Sequence, residues 1–423
     1  MTSSDPSQKL RVVLVALGGY AHVYIEGLLS ERAPQEGIVF AAGVDPFADA
    51  SPDLGRLQER KIPIYDDLNE CLSEVDADLV VVSSPIHLHR EHTCTALERG
   101  CHVLCEKPVS GAIQDAIAMR QARDAAGKHV TVAYNVSLSP MIQKLKQDIV
   151  GGKFGAPKRF KCIALEPRAW GYYGRNDWAG RLAMGPEQWV ADGPMHNASS
   201  HSVHNMLYLL GRDHHSSAQP VAIQGELYRA NDIENYDTAT CRVEVENGVT
   251  INILMSHAVI VRQPPACRYE FEDAVIEQRL DEDIVARFSD GHEEVYKDVD
   301  EEQYVKLWKV AAWIRAGEPS RCSLEAAIPE LLVANGAQES MPEVTPFPQD
   351  RLKTEEFEGD EFTIVDGLRE ELLACHENWT LPSEAGLAWA QPGRKIDMRG
   401  YDRFPQSALL QEKAAAGFRG RSK

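Results

Sequence analysis

Arg11-Val12-Val13-Leu14-Val15-Ala16-Leu17-Gly18-Gly19-Tyr20-Ala21 is an apolar run of strand length that breaks at two glycines and passes into a helical pattern through Leu28 and Leu29. A short apolar run closed by a glycine turn reads as a buried parallel strand. The chain therefore opens with strand, tight turn and helix. A second strand, residues 38–44, ends at Asp45-Pro46, where proline stops the ladder. A third covers 77–82 and ends at Ser83-Ser84-Pro85. A helix over about 90–98 is closed by Gly100, and the strand 102–105 follows. Another helix over about 111–126 leads to the strand 129–133, which ends at Tyr134-Asn135. Strands alternating with helices imply right-handed crossovers, so residues 1–135 are expected to form a doubly wound α/β domain of Rossmann type.

After about residue 150 the pattern changes. Strand-like segments at 157–166, 220–229, 238–246, 249–258 and 268–273 predict an α+β domain over 136–390 with a large, mostly antiparallel sheet. Helices are expected at 196–210, 301–316 and 323–336. From about 338 prolines and acidic residues dominate, and the polar tail 391–423 either wraps the body or is disordered.

With 423 residues the chain is too long for one core, and two domains is the working count. The formal charge of −20 disfavours nucleic acid and anionic membrane as partners, since both are negative. No apolar run reaches the roughly 18 residues that suggest a bilayer span. The polar N-terminus lacks the features of a secretory signal, so a cytoplasmic protein is expected. Nine scattered cysteines, an odd number without a CxxC pair, argue against a disulfide framework or a zinc site.

A dinucleotide site needs backbone amides at a helix N-terminus and glycines where a side chain would block the pyrophosphate. Gly18, Gly19, Tyr20 and Ala21 supply that turn in degenerate form, with Ala16 in the place of the first glycine. Asp45, at the end of the second strand, can accept from ribose hydroxyls and repel a 2′-phosphate, which favours NAD, with NADP as the alternative. Equally, Asp45 can be a strand terminator before proline. Lys107, in Cys105-Glu106-Lys107-Pro108, follows a strand at the carboxyl edge of the sheet, where it can serve a substrate hydroxyl or stand at the surface.

With Glu106-Lys107-Pro108, Ser84-Pro85-Ile86-His87-Leu88-His89 and the glycine turn, the chain resembles the Gfo/Idh/MocA oxidoreductases, which include glucose–fructose oxidoreductase and inositol dehydrogenase. The resemblance covers about residues 10–150 and extends to about 330. It implies that Lys107 contacts both nicotinamide ribose and substrate and that Glu106 orients the site. It also implies that Ser84, Pro85, His87, His89 and Asn135 lie along the cofactor, although His87 and His89 can equally cap the following helix.

Members of the family carry an aspartate, a histidine four residues on and a further acid after three more. Counting back from Leu210-Gly211, His201 matches the histidine, Asn197 replaces the aspartate and His204 replaces the later acid. On one helix, residues 197, 201 and 204 would share a face turned to the cleft. His201 and Lys107 are then the expected proton carriers, and Asn197, which cannot act as a base, binds substrate with His196 and His204. Three histidines so spaced invite a metal reading, but the HExxH pattern is missing and the implied chemistry needs no metal.

Tyr172, Arg175, Asn176 and Trp178 lie in a loop suited to a polyhydroxylated small molecule, or to packing against the domain. The expected activity is NAD(P)-dependent hydride transfer to or from a secondary hydroxyl of a sugar, cyclitol or sugar acid. Two alternatives are an NAD-dependent glycosidase working by transient oxidation and elimination, and a noncatalytic sensor of NAD or sugar. The resemblance further implies a homodimer or homotetramer, packed through the faces of the second sheet.

Overall fold

A computed structural model of the chain describes residues 9–279, 282–297 and 302–416. Six strands, β1 (Leu10–Val15), β2 (Ile38–Val44), β3 (Ile64–Tyr65), β4 (Leu79–Val82), β5 (His102–Cys105) and β6 (Val130–Val132), form a parallel sheet in the order β3-β2-β1-β4-β5-β6. Strand order reverses between β1 and β4, and that switch leaves a crevice at their carboxyl ends. Helices cover both faces, so strand residues are buried whichever way they point, and Leu79, Val80, Val81 and Val82 are all inaccessible.

The helix Val305–Ala316 returns from the second half of the chain and packs Leu307, Trp308, Val310 and Ala311 against Leu10, Val12 and Leu14. Its approach explains a glycine inside the first helix, Ala21–Leu29: a Cβ on Gly27 would lie 2.9 Å from Cβ of Tyr304. Residue 301, where this helix was expected to begin, lies outside the described residues.

β7 (Pro157–Leu165) starts the second sheet, and β8 (Ala183–Gly185) and β9 (Gln188–Trp189) form a separate small hairpin. The sheet continues through β10 (Pro220–Arg229), β11 (Thr238–Val245), β12 (Thr250–Ser256), β13 (Gln263–Phe271), β14 (Ala274–Arg279), β15 (Ile284–Phe288), β16 (Glu293–Tyr296) and β17 (Thr345–Pro346). Its order is β16-β15-β14-β13-β7-β12-β11-β10-β17. Most neighbours are antiparallel, but β7 runs parallel to β12 and β17 parallel to β10. Phe160 and Cys162 of β7 face the main core shared with the first sheet, while Ile163 and Leu165 face a second cluster on the other side.

That second cluster is made by the segment whose prolines and acids gave no clear pattern. A hairpin, β18 (Leu352–Phe357) and β19 (Asp360–Val365), turns through Glu358 and Gly359, both with positive φ, as a two-residue hairpin turn requires. The helix Leu368–Asn378 follows, and Leu368, Leu372 and Trp389 cover Ile163, Tyr228 and Leu254. The chain itself thus covers the outer face at β7, β12 and β10. Across β7 and β13–β16 the outer surface is an ion-pair ladder, Arg159–Glu270–Arg268–Glu277–Arg287–Glu293.

The tail wraps the body: β20 (Ile396–Asp397) pairs with β10, and Phe404 packs edge-on against Trp189 at 5.0 Å. Residues 417–423 of the expected tail lie outside the described residues. One expectation fails. The single helix over 196–210 is broken into a π-helical turn, Pro194–Ala198, and an α-helix, Ser200–Leu210, with Ser199 at φ −112° and ψ 18° between them. The pattern from 200 onward is helical, but proline at 194 and the bonds made by Asn197 hold the preceding turn in another geometry.

Candidate active site

The turn after β1 has positive φ at Ala16 (67°) and Gly19 (58°). A Cβ placed on Gly18 or Gly19 meets nothing within 4 Å, so both glycines front open space rather than packed protein. A bare backbone beside a helix start is what a pyrophosphate requires, and the turn fits one. Asp45 closes the turn: one carboxylate oxygen accepts from the Leu17 amide and the other from the Phe47 amide, each at 2.8 Å. Each oxygen keeps acceptor capacity for a ribose hydroxyl. The Tyr20 hydroxyl donates to Gln303 at 2.9 Å and accepts from Asn135 at 3.3 Å, while Ala21 is buried. Asn135 Oδ1 is buried without a partner, an acceptor left open beside the turn.

At the ends of β4 and β5 the predicted residues separate into struts and open groups. The ring nitrogens of His89 lie 2.8 Å from the Ser84 carbonyl and 2.9 Å from the Pro108 carbonyl. Burial pushes its pKa down, and it ties the Pro85 loop to the lysine loop. The Ser84 hydroxyl contacts His92 at 2.9 Å. His87 keeps Nδ1 buried and unpartnered, and burial lowers its pKa against the opposing charge of Asp177.

Glu106 is buried and holds three partners: Tyr24 donates at 2.6 Å, Lys306 donates at 2.6 Å, and the Lys107 amide donates at 3.1 Å. Burial alone would raise its pKa, but Lys306 and Tyr24 keep the carboxylate below its usual range. The neighbouring Lys107 Nζ donates to the Asn197 carbonyl at 2.8 Å and to Asn197 Oδ1 at 3.2 Å. Asn197 Nδ2 in turn donates to Asp192 at 2.7 Å. Burial lowers the Lys107 pKa, opposed by Glu106, Glu330 and Asp192. A lysine ammonium has three N–H donors, and Asn197 takes two of them.

His201 lines a cavity of about 810 Å³ together with Ser199, Ser202, Asn205 and Gln278. Its ring meets Tyr134 edge-on at 5.7 Å, and its buried Nδ1 has no partner. Burial, reinforced by the charges of Lys107 and Lys306, holds its pKa well below the usual histidine value, so the ring is neutral at neutral pH. An unpartnered neutral imidazole near an ammonium can take a proton from a hydroxyl.

The expectation that 197, 201 and 204 share one cleft-facing helical side is not met. Asn197 lies on the π turn, and His204 is fully buried between Tyr134, stacked at 3.9 Å, and Tyr208. Its nitrogens contact Ser137 at 2.7 Å and Cys322 at 3.5 Å, and burial pushes its pKa down to about 3. His196 is equally buried, between Glu330 at 3.2 Å and the Ser110 carbonyl at 3.0 Å. Both are core histidines with satisfied rings, which removes them from the substrate side. No group of three or more His, Cys, Asp or Glu among the described residues could hold a metal.

In the 172–181 loop, the Arg175 guanidinium lies 3.6 Å from the Tyr172 ring centroid and 5.2 Å from that of Trp178. Asn176 Oδ1 accepts from the amides of Trp178 (3.2 Å) and Ala179 (2.8 Å), so this side chain shapes the turn. Lys306 and Asp192 are the contributors that sequence reasoning missed. Asp192 had a signal, since it precedes His196 by the family spacing, but Lys306 looked like any solvated helix cation.

Residues 10–134 match the family described as "Oxidoreductase family, NAD-binding Rossmann fold". D-glucoside 3-dehydrogenase of Escherichia coli (strain K12) is 28% identical over 183 residues, 43% of this chain and 50% of the relative. Levoglucosan dehydrogenase of Pseudarthrobacter phenanthrenivorans is 26% identical over 175 residues, 39% of this chain and 42% of the relative. The chain thus spans about half the length of the curated relatives it matches. An oxidoreductase from Agrobacterium radiobacter, solved with NAD+, L-tartaric acid and magnesium, shares the fold: TM-score 0.66 and 15% identity, covering 79% of this chain and 97% of that one. No helix among the described residues is long and apolar enough to cross a membrane. The parallel sheet, its open glycine turn and the lysine loop at its carboxyl edge all fall within residues 10–134, the stretch that is similar to the NAD-binding oxidoreductase family.

Proposed function

We propose that the protein is an NAD-dependent oxidoreductase acting on a secondary hydroxyl, or the matching carbonyl, of a polyhydroxylated substrate. The observation that carries this reading is a neutral, unpartnered His201 on the wall of the cavity, near enough to the tethered Lys107 for the ammonium to lower its pKa. Gly18, Gly19, Asp45 and Asn135 would hold the dinucleotide, which when bound exchanges hydride with the substrate carbon. Lys107, with its third donor, orients the substrate oxygen and stabilises charge on it. His201 accepts the hydroxyl proton on oxidation and returns it on reduction. Tyr172, Arg175 and Trp178 offer aromatic and guanidinium surface to the sugar-like part of the substrate.

Spectrophotometric screening of sugars, cyclitols and sugar acids with NAD+ tests this. Stoichiometric NADH formation supports it. Product without net cofactor turnover would indicate transient oxidation instead, and firm NAD binding without any product would indicate a sensor. A homo-oligomer formed through this sheet would have to use the charged surface of β13–β16, since the chain covers its own β7, β12 and β10. A monomeric mass in solution would exclude it.

A further inference from the structure

Two arginines line the cavity beside His201, and they are in opposite states. Arg262 forks onto Glu166, with Nε at 2.8 Å and Nη2 at 3.1 Å. Arg168, two residues beyond Glu166 where the chain leaves β7, donates no side-chain hydrogen bond to any described residue and has no carboxylate partner among them. Its Nε is buried and without an acceptor. Its guanidinium lies over the Tyr172 ring, 4.7 Å from the centroid, so an aromatic face supports the fork. A guanidinium donor shut off from both water and protein costs free energy that a bound acceptor would restore.

We propose that Arg168 is the anchor for a carboxylate on the substrate, so that the substrate is a polyhydroxy acid rather than a neutral sugar. The inference rests on the reading of this cavity as the substrate site. A planar monoanion matches the paired donors of a single guanidinium. A phosphate dianion fits less well. Among its described lining residues the cavity offers one unpaired cation, and the exposed hairpin tip adds Glu358 and Asp360 to that lining. The Arg175 guanidinium, over the same tyrosine ring, spends Nη1 on the Tyr172 carbonyl at 2.6 Å. His257 beside Arg168 adds no charge, because burial and the arginine push its pKa down to about 3.

The test compares matched neutral and acidic compounds, glucose against glucuronate and galactose against galacturonate, with glucose 6-phosphate and galactose 6-phosphate as the phosphate counterparts, on the full chain with NAD+. NADH formation is one readout, and calorimetric binding of each compound to the NAD+-loaded protein is the other. The acids should exceed their neutral partners about 100-fold in kcat/KM, mainly through KM, as expected for a charge-assisted fork. Arg168→Gln should erase that ratio and the acid binding, while Arg168→Lys should retain about a tenth of the preference. If the neutral sugars are turned over and the acids are not, the inference fails and the oxidoreductase reading stands. If acids bind through Arg168 yet nothing reduces NAD+, the oxidoreductase reading fails and the anchor stands. A phosphate-selective response lost in Arg168→Gln, or acid binding indifferent to Arg168, overturns the carboxylate assignment.

Discussion

Lys306 donates to Glu106 Oε1 at 2.6 Å across 200 residues of sequence, and its side chain is only 2% exposed. The same Nζ reaches the Tyr20 hydroxyl at 3.1 Å and lies over the rings of Tyr20 and Tyr24 at 4.5 and 4.7 Å. One cation from the second half of the chain thus links the glycine turn to the lysine loop. Removing one partner of a buried pair costs more than the pair contributes, because the other charge is left unsolvated. Lys306→Met should therefore destabilise the protein by about 3–5 kcal/mol in urea unfolding and weaken NAD binding. Lys306→Arg should recover part of both. An unchanged unfolding midpoint in Lys306→Met would remove the link.

Asn197 explains its own departure from the family pattern. Its side chain accepts from Lys107 and donates to Asp192 at once, so the carboxylate that balances the lysine stands one residue further out. Asn197→Asp would put a second carboxylate against Asp192 in place of a donor. Like charges that close cannot both ionise freely. The variant should lose about 1–3 kcal/mol of stability and raise the pH at which Lys107 releases its proton. A variant as stable as the parent, with an unshifted basic limb in its rate profile, would contradict this bonding pattern.

The proposed role of His201 predicts the pH dependence of turnover. Burial and neighbouring cations lower its pKa, so the neutral, proton-accepting form persists well below the ordinary histidine value. With His201 as the proposed base, oxidation would need that form, and kcat/KM should remain on its plateau through pH 6.5 and fall only in more acidic solution. His201→Asn should lower kcat about 10²–10⁴-fold at every pH on the plateau. An acid limb centred near 6.5 would place the titrating base elsewhere.

Asp45 is tied to two amides, yet its position at the end of β2 still opposes a 2′-phosphate. Asp45→Ser should narrow the NAD-over-NADP preference about tenfold or more in measured dissociation constants. A preference ratio equal to the parent's would reduce Asp45 to a turn-closing residue.

The first sheet was legible because its strands are short apolar runs, each ended by glycine, proline or a polar pair. The bounds 38–44 and 102–105 are those of β2 and β5. β3 escaped because two half-buried residues carry no periodicity. β14–β16 escaped because their outward positions alternate charges for an ion-pair ladder, which reads as a solvated loop. In the site, the glycine turn, Asp45 and the position of Lys107 were named from local pattern, while His201 and the role of Lys107 came from the family resemblance. His196 and His204 were named too, but a histidine looks the same in sequence whether it faces a cleft or lies between Tyr134 and Tyr208.

By itself the sequence determined the Rossmann-type first third, the mainly antiparallel second sheet and the loop that presents Lys107, because each is written in local periodicity and turn chemistry. Only the tertiary structure decided which residues serve Lys107 and His201. Lys306 meets Glu106 and Lys107 meets Asn197 across 200 and 90 residues of chain, and the Arg168 Nε is left without an acceptor; such arrangements follow from packing rather than from any spacing along the chain.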